Sequence, residues 1–137
     1  MIGGSTCDVL VVGAGPAGAA AAITLRRAGR SVVVVDKATF PRDKCCGDGL
    51  TTLALRELDA LGLDPQSVPN WFDVGSAWLR SPSGREVEVP LPTTGRYAAV
   101  TPRVELDAAL VELVRASGAT VRDGRPFSAL RVLADRV

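Results

Sequence analysis

The feature that most constrains this chain is the hexapeptide Gly13-Ala14-Gly15-Pro16-Ala17-Gly18, set between the apolar run Asp8-Val9-Leu10-Val11-Val12 and a segment rich in alanine. A short continuous apolar run that ends in glycine reads as a parallel strand buried on both faces. Pro16 stands where a helix can begin without needing an N–H. The alanines after Gly18 favour helix, and Arg26-Arg27 before Gly29 make a basic last turn and a terminator, so a helix is expected over residues 16–28. The β-branched run Ser31-Val32-Val33-Val34-Val35-Asp36 then reads as a second parallel strand that ends in a carboxylate.

A Gly-x-Gly-x-x-Gly triplet arises readily by chance in a chain with 14 glycines, so its context decides its meaning. Here it follows a strand, opens a helix, and precedes Asp36 by 23 positions counted from Gly13, the arrangement of a dinucleotide-binding strand-helix-strand unit over residues 8–36. In that arrangement Gly13 permits the tight turn, Gly15 lets the backbone approach a pyrophosphate, and Gly18 lets helix and strand pack closely. Pro16 and Ala17 begin the helix, whose N-terminus supplies N–H donors and positive potential to the phosphates. Ala22 and Gly29 place further small residues where the helix faces the sheet. Asp36 is placed to accept hydrogen bonds from ribose hydroxyls and would repel a 2′-phosphate, which disfavours NADP and leaves FAD or NAD.

Composition narrows the remaining classes. With 137 residues, 47% of them hydrophobic, and 16 basic against 15 acidic side chains, the chain has the profile of an ordinary soluble globular protein of at most one domain. The charges are interspersed instead of gathered into basic patches, which argues against a nucleic-acid partner. Three cysteines, Cys7 and the adjacent Cys45 and Cys46, make neither a disulfide framework nor a zinc-ligand spacing, so a reducing cytoplasm is expected and a metal is not. The absence of histidine removes Ser-His-Asp and Cys-His catalysis and leaves the chemistry to a cofactor. Val9 to Leu25 is apolar or small apart from Thr24. Glycines interrupt it, no basic segment precedes it, and it falls short of a membrane span, so it reads as a buried strand and a packed helix.

Further along, residues 37–50 hold Pro41, Gly47 and Gly49 among Lys37, Arg42, Lys44, Asp43 and Asp48, the composition of an ordered loop. Leu53, Leu58 and Leu61 before Gly62 predict a helix over 51–61, and Pro65, Pro69 and Asn70 keep the next stretch irregular. Ser81-Pro82-Ser83-Gly84 is a turn signal between β-compatible runs at 76–80 and 85–91, hence a hairpin. Thr101 can cap a helix with Pro102 in its first turn and Leu106, Leu110, Leu113 and Val114 as its apolar stripe, over 101–117. Short strands are expected at 120–122 and 128–133. The chain stops at Asp135-Arg136-Val137 with no closing element, so its C-terminus reads as cut.

The phrase Phe40-Pro41-Arg42-Asp43-Lys44-Cys45-Cys46-Gly47-Asp48-Gly49-Leu50 is far more specific than the glycine loop, and through it the chain resembles the geranylgeranyl reductase family. These are flavoproteins with the p-hydroxybenzoate hydroxylase type of fold. An NAD dehydrogenase would continue directly into another helix-strand repeat, whereas here a basic, glycine-rich loop follows the acidic position, which favours FAD. The resemblance covers essentially the whole chain. It implies a loop at 37–50 on the flavin side, Cys46 beside the isoalloxazine, and Lys37, Gly47, Asp48 and Gly49 against the cofactor. Arg103 in Thr101-Pro102-Arg103-Val104-Glu105-Leu106-Asp107 looks like the family's arginine at a helix start near the cofactor. By physical reasoning alone a cation at a helix start is unfavourable unless an anion lies nearby, and a phosphate would supply one. Cys45 departs from the proline expected in close relatives. For Cys46 a small buried hydrophobe is as good a reading as a chemical role, and for Trp71 and Trp78 ordinary core packing is the expectation.

The fold class expected is therefore α/β: a truncated FAD/NAD(P)-binding domain with a Rossmann-like FAD-binding unit, a hairpin at 76–91 that starts a β-rich substrate domain, and a helix at 101–117 that returns to the FAD domain. The resemblance implies reduction of prenyl double bonds by hydride from reduced flavin, with NAD(P)H or ferredoxin as an external reductant. It also implies a prenylated small-molecule substrate and a cytoplasmic protein in peripheral contact with membrane. Two rivals share the fold, an FAD-dependent aromatic monooxygenase and an NAD-dependent dehydrogenase. A third reading is a non-catalytic truncated fragment that binds FAD weakly and does not turn over.

Overall fold

The structure is a computed structural model that describes residues 6–132. Two compact units divide it, one taking the described residues up to Arg42 and from Leu110 onward, the other Asp43–Ala109.

In the first unit, β1 (Val9–Val12), α1 (Pro16–Arg27) and β2 (Val32–Val35) succeed one another as the sequence predicts. β1 pairs in parallel with β2, Val9 opposite Val32 through Val12 opposite Val35. On its other side β2 pairs in parallel with β8 (Thr120–Arg122), giving the order β1-β2-β8. The central position explains why β2 is a run of four valines: it has a neighbour on each side and is buried at Val32, Val34 and Val35. β1 differs from expectation. Instead of being buried on both faces it alternates, with Leu10 44% and Val12 55% exposed, since among the described residues only one of its faces is covered. Asp8 ties the starts of the two strands together, its carboxylate accepting from the Ser31 N–H at 2.6 Å and the Ser31 hydroxyl at 2.7 Å.

The second unit carries β3 (Gly49–Thr51), α2 (Thr52–Leu61), β4 (Phe72–Asp73), β5 (Ser76–Arg80), β6 (Glu86–Pro90) and β7 (Ala98–Val100). Thr51 caps α2 by accepting the Ala54 N–H, and Gly62 ends it at φ +90°, a left-handed conformation that glycine adopts without strain. β3, β7 and β4 form a small antiparallel sheet in that order. Gly49 and Leu50, expected in the loop, therefore belong to a strand. The hairpin forms as predicted, with Trp78 opposite Glu88 and Leu79 opposite Val87. It is a separate two-stranded sheet, so Trp78 is 66% exposed and not in a core.

α3 (Arg103–Ala116) runs through the division between the units. Its buried residues are Leu106, Asp107, Leu110, Val111 and Val114, while Leu113 is only half-buried. Thr101 does not cap it: the buried Thr101 hydroxyl has no hydrogen-bond partner, and the Arg103 N–H instead donates to Asp48 Oδ1 at 3.2 Å. Residues 128–132 take no strand, and Leu133 and the end at Asp135-Arg136-Val137 lie outside the described residues.

Leu110 is fully buried, so Leu110→Ala should cost about 2 to 5 kcal/mol through lost burial and the cavity left behind. The exposed Val12→Ala should stay within about 0.5 kcal/mol. Urea unfolding of the two variants measures the contrast.

Candidate functional site

The residues singled out in the sequence fall into two groups, one in each unit. In the first unit the glycine loop is set by backbone geometry. Gly13 has φ +99°, which a side chain rarely tolerates, and its N–H donates to the Val35 carbonyl at 2.8 Å. At Gly18 an added Cβ would lie 1.8 Å from the Gly13 carbonyl oxygen, so the first turn of α1 can rest on the loop only because Gly18 has no side chain. Pro16 is at the first turn, as expected. The cap residue Gly15 has no side chain to satisfy the first N–H groups, and no acidic residue occupies the first turn, so the positive end of α1 is left for an anion.

Asp36 joins this group. It is buried at the end of β2, with Oδ2 accepting the Ala14 N–H at 2.7 Å and Oδ1 accepting the Ala38 N–H at 2.8 Å. The carboxylate thus spans the glycine loop and the chain that leaves β2. Arg42 also reaches the loop: its guanidinium lies over the Phe40 ring, 5.1 Å from the centroid, and a Cβ built on Gly15 would meet its Nη2 at 3.5 Å. Nothing in the spacing of the motif indicated this reach, because the intervening turn is not periodic. Lys37 and Ala17 are exposed beside the group. A narrow backbone cradle, an uncompensated helix N-terminus, a nearby guanidinium and a buried carboxylate fit the pyrophosphate and ribose of a dinucleotide.

In the second unit Cys46, Gly47, Asp48 and Gly49 come together with Arg103. Asp48 is the one non-glycine with positive φ among the described residues, at +54°, and its carbonyl accepts the Thr101 N–H at 3.0 Å. Cys46 is exposed, contrary to the reading as a buried hydrophobe. The Arg103 side chain, and after it a backbone hydrogen bond from Asp48, hold its thiol below the ordinary range. Arg103 has the anion its position demanded, but from within the chain. Asp107, one turn on and fully buried, accepts from Nε and from Nη2, each at 3.0 Å. Sequence reasoning passed over Asp107, although its i,i+4 spacing from Arg103 was the available signal.

Cys45 and Lys44 are exposed. Trp71 is half-buried, donates to Asp73 Oδ1 at 2.9 Å, and lines a cavity of about 370 Å³ with Leu55, Leu58, Leu63 and Arg96. No group of three or more His, Cys, Asp or Glu among the described residues is arranged to hold a metal. None of the described helices is long and apolar enough to cross a membrane.

The family described as FAD binding domain matches residues 6–137. A menaquinone reductase of Mycolicibacterium smegmatis is 48% identical over 122 residues, covering 85% of this chain and 29% of that protein. A geranylgeranyl diphosphate reductase of Rhodobacter capsulatus is 33% identical, covering 82% of this chain and 26% of its own length. Among solved structures, a geranylgeranyl bacteriochlorophyll reductase-like protein of Thermoplasma acidophilum superposes with a TM-score of 0.72 at 28% identity, over 88% of this chain and 30% of that one. The chain thus spans less than a third of the length of each of these relatives.

Two substitutions separate the parts of the glycine loop. Gly18→Ala drives a carbon into backbone and should destabilise by more than Gly13→Ala, which meets no atom and costs about 1 to 3 kcal/mol of conformational strain. Asp36→Ala strands the Ala14 N–H and should cost about 1 to 3 kcal/mol in urea unfolding. Unchanged stability in Asp36→Ala would show that the carboxylate does not hold the loop.

Proposed function

We propose, on the premise that this chain belongs to the FAD-binding domain family, that it is the flavin-holding part of a reductase that saturates carbon-carbon double bonds in a prenyl chain. The observation that carries the reading is the likeness to a protein named menaquinone reductase, to which one named geranylgeranyl diphosphate reductase adds weight. A prenylated quinone or a geranylgeranyl group is the substrate class.

In this reading the N–H groups at Gly15, Ala17 and Gly18 and the start of α1 hold the pyrophosphate of FAD, with Arg42 adding charge and Lys37 close by. Asp36 receives the ribose: a carboxylate has roughly four acceptor sites, and its two hydrogen bonds to Ala14 and Ala38 leave others open to hydroxyls. Cys46, Gly47, Asp48, Gly49 and Arg103 serve the flavin side. Bound there, FAD would supply hydride chemistry to the double bond, with NAD(P)H or ferredoxin as the external reductant. The domain plan belongs to the same reading: the hairpin at 76–91 begins the substrate domain and the helix at 101–117 returns to the FAD domain. An apolar prenyl substrate brings the protein to the cytoplasmic face of a membrane.

The test is made on the protein that carries this chain. After incubation with FAD and removal of the excess, a visible flavin spectrum is expected, and a colourless protein overturns the cofactor assignment. Once reduced with dithionite without air, it should be reoxidised by a prenylated quinone with saturation of the side chain, read by mass spectrometry. Oxygen uptake driven by an aromatic acid, with no change in a prenyl chain, would make it a monooxygenase instead.

A further inference from the structure

Arg103 is the first residue of α3, where the positive end of the helix disfavours a cation, yet its side chain is only 16% exposed. Asp107 holds it there. Two parallel hydrogen bonds, Nε to Oδ1 and Nη2 to Oδ2, occupy one edge of the guanidinium and fix its plane, a geometry that a planar fork provides and an ammonium does not. The same guanidinium holds the Cys46 thiol below its ordinary range. The loop that carries Cys46 is tied to the same helix start, since Asp48 accepts the Arg103 N–H through its side chain and the Thr101 N–H through its carbonyl. Loop, helix start and guanidinium are therefore in one register.

We propose that Asp107 is a positioning residue: its buried carboxylate fixes the plane of the Arg103 guanidinium and so aims the donors left over at the sulfur of Cys46. The role is not one of charge. As a bare negative charge Asp107 opposes a thiolate, as does Asp48 beside it, whereas by aligning Arg103 it favours one. The two roles carry opposite signs, and this makes them separable.

The experiment reads the thiol directly and needs no flavin, so its outcome is independent of the reductase reading. In the protein that carries this chain, with Cys7→Ser, Cys45→Ser and every other cysteine except Cys46 replaced by serine, the rate of iodoacetamide alkylation is followed against pH. The thiol of this parent should titrate below the ordinary value of about 8.5. Asp107→Asn should raise that midpoint and slow alkylation at neutral pH about three- to tenfold, and Asp107→Glu should recover part of the rate. Arg103→Lys keeps the charge but loses the fork, and should slow alkylation as well. It carries the test if the buried asparagine prevents folding, which a thermal melt reports. An Asp107→Asn variant that folds with an unchanged or lowered midpoint overturns the proposal, as does an Arg103→Lys variant that titrates like its parent.

Discussion

The first unit depends on one close approach, that of Gly18 to the carbonyl of Gly13. Where the loop must turn from strand into helix within six residues, the first turn of α1 comes to rest on the backbone it has just left. With any side chain at Gly18 the helix would be pushed off, and the alanines after it, Ala19 and Ala22, could not be buried as completely as they are. The parallel pairing of β1 with β2 is a consequence, because a helix held that close returns the chain beside its starting strand. The same contact leaves the N–H groups of the first turn facing outward, and so it shapes both the fold and the place where an anion can sit.

Asp36 does for the end of β2 what Gly18 does for the start of α1. Side-chain acceptors that bridge two backbone donors make a loop part of the sheet instead of an appendage, and here one bridged donor belongs to the glycine loop itself. In the second unit the corresponding work is done by Asp48 and Asp107, which hold the start of α3 and the Arg103 side chain. In both units carboxylates organise backbone or guanidinium donors around segments that have no regular structure of their own.

The glycine loop, β2, the hairpin and the body of α3 were legible in the residues because each carries a local signal: glycine spacing, a β-branched run, a turn tetrapeptide and a helical stripe. β4 and β7 carry none. Each is three residues or fewer, and they exist because β7 pairs with β4 on one side and with β3 on the other across long stretches of sequence, which no local periodicity records. The cap of α3 shows the same limit. Thr101 has the right residue type in the right place, but Asp48, 55 positions away, reaches the Arg103 N–H and leaves the threonine hydroxyl without a partner. The half-exposure of β1 was hidden for a related reason, since an apolar run signals a strand without saying whether both of its faces will be covered. Asp107 was legible in principle, because four residues on a helix bring two side chains together.

The hairpin of β5 and β6 has a consequence of another kind. A two-stranded ribbon has only its own cross-strand pairs to hold it, and its apolar members Leu79, Val87 and Val89 remain exposed, as does Trp78. Such ribbons are marginal in water. Opening its amides locally therefore requires less free energy than opening those of the β1-β2-β8 sheet or α1, and they exchange with solvent deuterium without waiting for those elements to unfold.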